Sequence, residues 1–164
     1  MALFKNIENK DLAMETTLFT ARQIMTTDVV SVGPDTPITD VADIMERYRV
    51  SGLPVLDDQH NLLGVISEYD LLHGIVSVKM NGTVGELMSK DIITVDEDTS
   101  LLELVELFIS TRVRRVPVVT DGKLVGVISR RDLVFAGKVR HSLLVELPEY
   151  VSNGSDTQPV ETAS

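Results

Sequence analysis

The chain has 164 residues, of which 43% are hydrophobic, which is enough apolar material for one globular core. Its net charge of -10 argues against general nucleic-acid binding, which needs a basic footprint. The absence of cysteine excludes disulfides, thiolate zinc sites and a cysteine nucleophile, and suits a reducing cytosol. No apolar stretch approaches the roughly 18 residues of a membrane span, and the N-terminus lacks the apolar region of a secretory signal. We therefore expect a cytoplasmic protein without membrane insertion.

The first predicted elements are helices and a hairpin. A capping threonine before a proline, at Thr36 and Pro37, is typical of a helix start. Apolar residues then follow at helical spacing, at Ile38, Val41, Ala42 and Met45. Two short apolar runs, 53–56 and 62–66, flank a polar turn and predict a hairpin. The unit therefore predicts the order short helix, strand, helix, strand, turn, strand, helix.

The chain then repeats this unit. The segment MTTDVVSV at residues 25–32 returns as MSKDIITV at residues 88–95, and the pattern Gly-Val-Ile-Ser-x-x-Asp occurs at residues 64–70 and again at 126–132. One such unit would be marginal alone, so the two copies are expected to pack into one body. The predicted segments are an N-terminal arm (1–19), a first repeat (20–79), a second repeat (80–140) and a polar, disordered tail (141–164), with a linker at 77–83.

The doubled motif lies where an apolar strand ends and a helix begins. One interpretation is structural: Ser67 and Ser129 cap the helices, and Asp70 and Asp132 reach back to the caps. The other is a nucleotide site, because a helix N-terminus presents free N–H groups to anions, and a hydroxyl beside a carboxylate can hold the two hydroxyls of a ribose. Both roles can coexist, since a carboxylate has about four acceptor positions.

From residue 21 to residue 137 the chain resembles a pair of CBS domains, known as a Bateman module. The resemblance is carried by residues 50–55, their partner segment 113–118, and the doubled Gly-Val-Ile-Ser-x-x-Asp. It implies an α+β fold of tandem repeats packed with pseudo-twofold symmetry, each repeat being a small, mostly three-stranded sheet with helices. It also implies a stand-alone, non-catalytic module that binds an adenine nucleotide in a cleft between the repeats and modulates an unidentified partner protein.

The resemblance further implies the ligand and its contacts. AMP is expected first and ADP or ATP next as a regulatory ligand, with no required cofactor; S-adenosylmethionine is an alternative ligand. A protein-interaction or dimerisation module without nucleotide binding also stays open. In the family, the aspartate contacts the ribose hydroxyls and the serine three positions earlier contacts ribose or phosphate. The matching pairs here are Asp70 with Ser67, and Asp132 with Ser129.

We name the two expected sites by these pairs: the first-repeat cleft is anchored by Asp70 and the second-repeat cleft by Asp132. The resemblance places the base of the second-repeat cleft against Met25, Val30, Val50, Ser51 and Val127. It places the base of the first-repeat cleft against Met88, Ile93, Val113, Arg114 and Val65.

The two expected clefts differ in charge. Arg131 within the motif, Arg130 beside it, and Arg114 at a position that the family often uses for phosphate add positive charge to the second-repeat cleft. Glu68 and Tyr69 stand at the matching motif positions of the first-repeat cleft. We therefore expect the second-repeat cleft to bind nucleotide phosphate better. The alternative is that the arginines between residues 112 and 131 form a solvated surface.

The helices carry more apolar residues than one core needs. The surplus lies in residues 71–76, 101–109 and 133–136. Part of it should pack between the repeats, and the remainder fits a homodimer with twofold symmetry; the alternative is that packing between the repeats uses all of it. No histidine has a companion at metal-ligand spacing, and neither motif serine has an activating base, so neither a metal site nor a catalytic residue is expected.

Overall fold

The structure is a computed structural model that describes residues 19–77 and 81–146, with side chains described to residue 138. The predicted N-terminal arm up to residue 18 and the predicted tail from residue 147 lie outside the described residues, as do residues 78–80 of the predicted linker. None of the helices within the described ranges is long and apolar enough to span a membrane.

Both repeats have the same order of elements. The first contains α1 (Ala21–Ile24), α2 (Ile38–Tyr48), β1 (Gly52–Leu56), β2 (Leu62–Ser67) and α3 (Glu68–Val76). The second contains α4 (Val84–Leu87), α5 (Leu101–Thr111), β3 (Arg115–Thr120), β4 (Lys123–Ser129) and α6 (Arg130–Glu146). Helix α6 continues into the first six residues of the segment predicted to be a tail, because that stretch still consists of residues that favour helix.

The two long equivalent helices start differently. Helix α2 begins after Pro37, which has no side chain that can cap, so the predicted cap at Thr36 lies one residue too early. Helix α5 begins with a capping box, in which Ser100 Oγ accepts from the Glu103 N–H and the Glu103 carboxylate accepts from the Ser100 N–H at 2.9 Å. The second repeat therefore has the better-fixed helix start.

Each repeat has an antiparallel hairpin, with Leu53 opposite Ile66 in β1–β2 and Val116 opposite Ile128 in β3–β4. The predicted third strand is shortened to a parallel bridge at a single residue. In the first repeat this residue is Val32, whose N–H donates to Pro54 O at 3.1 Å and whose carbonyl accepts from the Leu56 N–H at 2.9 Å. The bridge stays short because the chain turns directly after it.

The segment at the N-terminal end of each repeat crosses to the other repeat. Ala21 of α1 is buried in the core of the second repeat, beside Leu104 and Ile128. Val84 of α4 is buried in the core of the first repeat, beside Ile66. This reciprocal exchange joins two small cores, confirming a pseudo-twofold body in which neither repeat completes its own core alone.

Candidate nucleotide site

The second copy of the motif forms the start of helix α6. Asp132 Oδ2 accepts hydrogen bonds from the Ser129 N–H at 2.7 Å and from Ser129 Oγ at 2.7 Å. The Asp132 N–H donates back to Ser129 Oγ at 3.4 Å. Because β4 ends at Ser129, this reciprocal pair marks the change from strand to helix. The structural interpretation of the motif is therefore confirmed.

The first copy has the same geometry at the start of helix α3. Asp70 Oδ2 accepts from the Ser67 N–H at 2.8 Å and from Ser67 Oγ at 2.5 Å. In both copies the bonds from the cap serine go to one carboxylate oxygen, Oδ2, and leave the other, Oδ1, without a bond to that serine. A half-buried carboxylate with a spare oxygen can still accept a hydrogen bond from a ligand hydroxyl.

The crossing segment of the first repeat lies beside the Asp132 helix start. Thr26 exchanges two backbone hydrogen bonds with Val127, each 3.0 Å long. Met25 packs on Gly126 so closely that a Cβ at this glycine would lie 2.5 Å from Met25 Sδ. Met25, which packs on Gly126, and Val127 were both predicted for the second-repeat cleft, and both therefore lie at the strand that leads to Ser129.

The crossing segment of the second repeat takes the equivalent place beside Asp70. Ser89 exchanges backbone hydrogen bonds of 2.9 and 3.0 Å with Val65, and Met88 packs on Gly64. In addition, Ser89 Oγ donates to the spare oxygen Asp70 Oδ1 at 3.3 Å. This contact between side chains of different repeats has no counterpart at Asp132 among the described residues.

The loop before each hairpin proline contacts the helix start of its own repeat. The Glu68 N–H donates to Ser51 O at 3.1 Å, and the Arg130 N–H donates to Arg114 O at 3.2 Å. The family resemblance places the base contacts of each loop in the cleft of the opposite repeat, although Arg114 was also expected to add positive charge to the Asp132 cleft. The hydrogen bonds instead place Ser51 beside the helix start that carries Asp70, and Arg114 beside the helix start that carries Asp132. The reason is that β1 pairs with β2 and β3 pairs with β4 in antiparallel fashion, so the start of one strand lies next to the end of the other.

Val50 and Ser51 also line a cavity of about 530 Å³. Its lining residues are Ala42, Met45, Glu46, Arg49, Val50, Ser51, Glu68, Leu71 and Arg115. Asp132 is not among them, so the cavity does not join these two loop residues to the Asp132 carboxylate. It lies between the helices of the first repeat and the first residue of β3.

The remaining predicted base contacts serve the cores or lie at the surface. Val30 and Val50 pack against the core of the first repeat, and Val113 packs against the core of the second. Ile93 is 41% exposed. The structure therefore places Met25 against the strand that carries Val127 and leads to the Ser129–Asp132 pair. In the same way it places Met88 against the strand that carries Val65 and leads to the Ser67–Asp70 pair.

The model of the CBS domain family matches this chain twice, at residues 21–77 and 84–138. The chain belongs to the CBS domain family. Both matches cover the exchanged segments, the hairpins and the capped helix starts, so the protein is a CBS-domain pair.

Relatives and structural neighbours agree with this assignment. The inosine-5'-monophosphate dehydrogenase of Methanocaldococcus jannaschii is 35% identical over 115 residues, which are 70% of this chain and 23% of the dehydrogenase. The crystal structure of CBSX2 from Arabidopsis thaliana, in complex with AMP, is 35% identical, with a TM-score of 0.67 over 74% of this chain and 97% of that chain. CBSX2 is described as chloroplastic.

A second structural neighbour is the CBS-domain pair of protein MJ0100, in complex with 5'-methylthioadenosine and S-adenosyl-L-methionine. It is 24% identical and has a TM-score of 0.65 over 73% of this chain and 98% of that chain. At this identity the likeness shows the fold alone.

The arginines near the second-repeat cleft of this CBS pair have different roles. Arg130 Nε donates to Val113 O at 2.7 Å and its Nη2 donates to the Arg112 carbonyl, so its guanidinium is bound to the protein backbone. Arg131 lies over the Phe135 ring, with 5.4 Å from Cζ to the ring centroid. The exposed guanidinium of Arg114 has no hydrogen bond or ion pair with the described residues. Arg114 is therefore better placed than Arg130 to meet a phosphate.

Sequence reasoning did not single out Ser89 and Thr26, whose backbones pair with the strands that lead to the two motif serines. Both follow the methionine that packs on a motif glycine, and both carry a hydroxyl. The repeated order of methionine and a hydroxyl residue was visible in the sequence, but its closeness to the motif aspartates depends on the exchange of segments. In the part of the chain with described side chains, no three His, Asp or Glu residues form a group that could hold a metal ion.

Proposed function

We propose that this CBS pair is a non-catalytic regulatory module that binds an adenine nucleotide, AMP before ADP or ATP, and modulates a partner protein. The observation that carries the proposal is the Asp132 carboxylate. Its Oδ2 is held by Ser129, whereas its Oδ1 accepts no hydrogen bond from any described residue. An oriented carboxylate with one free oxygen is suited to accept a hydrogen bond from a ribose hydroxyl.

The surroundings of Asp132 favour a phosphate on the same ligand. Helix α6 is 17 residues long, so its first turn carries the positive end of a helix dipole. Arg114 lies next to this turn through its backbone hydrogen bond to Arg130, and its guanidinium is exposed. A guanidinium and a helix N-terminus both attract phosphate oxygens. Support also comes from CBSX2, a relative crystallised with AMP.

A second candidate is an interaction module that does not bind nucleotide, because the Ser–Asp pairs already act as helix caps. It is favoured by apolar side chains that stay exposed on α3 and α6. These are Leu72, Ile75, Val76, Val134 and Phe135, each more than half exposed. Under either candidate we propose that a second copy of the chain covers them, as the sequence predicts. Light scattering should then give twice the chain mass of 18.1 kDa.

Thermal unfolding with AMP, ADP, ATP and S-adenosylmethionine tests the nucleotide proposal. A ligand at 100 times its dissociation constant should stabilise the fold by about 2.7 kcal/mol, which raises Tm by several degrees. We expect the largest shift with AMP, and we expect Asp132→Asn to remove most of it while Asp70→Asn removes less. The matched control is Asp58→Asn, an exposed aspartate of the β1–β2 turn, which should keep the full shift.

The ribose can be tested on the ligand side. If Asp132 binds a ribose hydroxyl, 2'-deoxy-AMP should give a smaller shift than AMP with the wild-type chain and the same shift as AMP with Asp132→Asn. No shift with any of these ligands at millimolar concentration would overturn nucleotide binding and leave the interaction module. The cytoplasmic location stays a prediction.

A further inference from the structure

The two motif carboxylates differ in what meets their spare oxygen. Asp70 Oδ1 accepts a hydrogen bond from Ser89 Oγ at 3.3 Å, so both oxygens of this carboxylate have protein partners. Ser89 is fixed in position by its two backbone hydrogen bonds to Val65, one residue before Ile66 and two before the cap residue Ser67. The hydroxyl therefore lies where a ligand hydroxyl would have to bind.

The equivalent residue of the other half is Thr26. It has the same pair of backbone hydrogen bonds, to Val127 at 3.0 Å, yet its hydroxyl bonds to none of the described residues. Threonine is branched at Cβ, which restricts the rotamers that its hydroxyl can take. The backbone register is thus the same in both halves, and the difference lies in a single side chain.

We infer that Ser89 determines the difference in ligand affinity between the two clefts, by occupying the Asp70 carboxylate as an internal substitute for a ribose hydroxyl. A ligand that binds at Asp70 must displace the Ser89 hydroxyl, whereas a ligand that binds at Asp132 Oδ1 breaks no hydrogen bond among the described residues. This inference rests on the proposed function, and it adds a cause of unequal affinity that is independent of the arginines.

Calorimetric titration with AMP in an Asp132→Asn background isolates the first-repeat cleft. Adding Ser89→Ala should tighten AMP binding about three- to tenfold, the range expected when a competing hydrogen bond of ordinary strength is removed. The reciprocal change, Thr26→Ser in the otherwise wild-type chain, keeps the hydroxyl but removes the Cβ branch that restricts its rotamers. The hydroxyl can then take the orientation of the Ser89 hydroxyl and bond to Asp132, which should weaken AMP binding by a similar factor. Ser110→Ala, which removes a surface hydroxyl bonded only to Leu107 O, is the matched control.

The outcomes separate this inference from the proposed function. Suppose that the wild-type chain binds AMP. If Ser89→Ala then leaves AMP binding in the Asp132→Asn background unchanged, or if that background binds no AMP either with or without Ser89→Ala, the role of Ser89 is overturned and the proposed function stands. If the wild-type chain binds no AMP, both are overturned. A purely structural role, in which Ser89 only joins the repeats, would lower the free energy of unfolding in Ser89→Ala without tightening AMP binding, and that result would also overturn the inference.

Discussion

Glu68 and Arg130 begin the equivalent helices α3 and α6, and their side chains contact the loop before the hairpin in different ways. The Arg130 guanidinium donates to the carbonyls of Arg112 and Val113, which are exposed acceptors at the end of α5. The Glu68 carboxylate cannot donate to the matching carbonyls, and it lines the 530 Å³ cavity with Ser51 instead. The backbone is duplicated, but the loop is fixed in the second repeat and borders an open cavity in the first.

The two repeats also differ at the motif carboxylate and at the start of the long helix. The first repeat has an engaged carboxylate, because Ser89 bonds to Asp70, and a helix α2 that starts without a side-chain cap. The second repeat has a free carboxylate oxygen and a capped helix α5. The two repeats therefore share one backbone and differ in the side chains at their motif aspartates and helix starts. Variants at the crossing glycines, at Arg130 and at the helix starts test this comparison, in order from the largest expected effect to the smallest.

The largest effect is expected at the glycines where the exchanged segments cross. A Cβ at Gly64 would lie 2.7 Å from the carbonyl oxygen of Ser89, which is backbone and accepts the Val65 N–H. Gly64→Ala must therefore shift the backbone or break this pairing, and we expect a loss of about 3 kcal/mol in the free energy of unfolding. Urea denaturation measures it.

Gly126→Ala is the matched change in the other half. The three atoms nearest to its Cβ would all belong to the side chain of Met25, at 2.5 to 3.1 Å, and the outer two, Sδ and Cγ, can move aside because methionine is flexible. We expect a loss of about 1 kcal/mol. Equal losses for the two variants would show that the crossings are equivalent and would contradict this part of the comparison.

The next effect concerns the loop that Arg130 holds. Arg130→Ala removes two donors from the carbonyls at the end of α5, so we expect a loss of about 1 kcal/mol in the free energy of unfolding, against a change within about 0.5 kcal/mol for Glu68→Ala.

Nucleotide binding distinguishes the role of Arg130 from that of Arg114. Arg114→Ala should weaken AMP binding and leave adenosine binding unchanged, whereas Arg130→Ala should weaken both by the same factor. The reverse pattern would make Arg130 the phosphate contact.

The smallest effect is expected at the helix starts. Ser100→Ala removes the cap of α5 and should cost about 1 kcal/mol or less at neutral pH, whereas Thr36→Ala should cost almost nothing because Thr36 caps nothing. The side-chain and backbone hydrogen bonds from Ser100 hold the pKa of Glu103 below its ordinary value. This contribution is therefore present at neutral pH and lost as the pH falls through the lowered pKa. Urea denaturation should therefore show a smaller difference in the free energy of unfolding between wild type and Ser100→Ala in acid than at neutral pH. A difference independent of pH would contradict the contribution of the ionised Glu103 carboxylate.

Much of the fold was predictable because the pattern that indicates each helix or strand occurs in both repeats. The hairpins, the helices after Pro37 and Ser100, and the reciprocal caps at Ser67 and Ser129 all follow from local residue patterns. The apolar periodicity of residues 38–45 also located the core, in which Ile38 and Val41 are fully buried. These features depend on interactions within a few residues, which sequence reasoning handles well.

The features that distinguish the two halves were not predictable, because they depend on contacts between distant segments. The Ser89–Asp70 contact requires the crossing segment to pair with Val65, and the cost of a side chain at Gly64 has the same origin. The position of Arg130 in the motif grouped it with the arginines expected near phosphate. In the structure its guanidinium donates to the carbonyls of Arg112 and Val113 instead. The preference of phosphate for the second-repeat cleft stays a prediction, and of the arginines expected there it is Arg130 whose guanidinium is bound to the backbone.

A crystal structure of the protein with AMP tests the central claim most directly, because it shows which carboxylate holds the ribose. We expect AMP at the start of α6, with a ribose hydroxyl on Asp132 Oδ1, its phosphate towards Arg114, and the Ser89–Asp70 hydrogen bond still present in the first repeat. AMP bound at Asp70 with Asp132 unoccupied, or bound only in the cavity beside Ser51, would contradict the account.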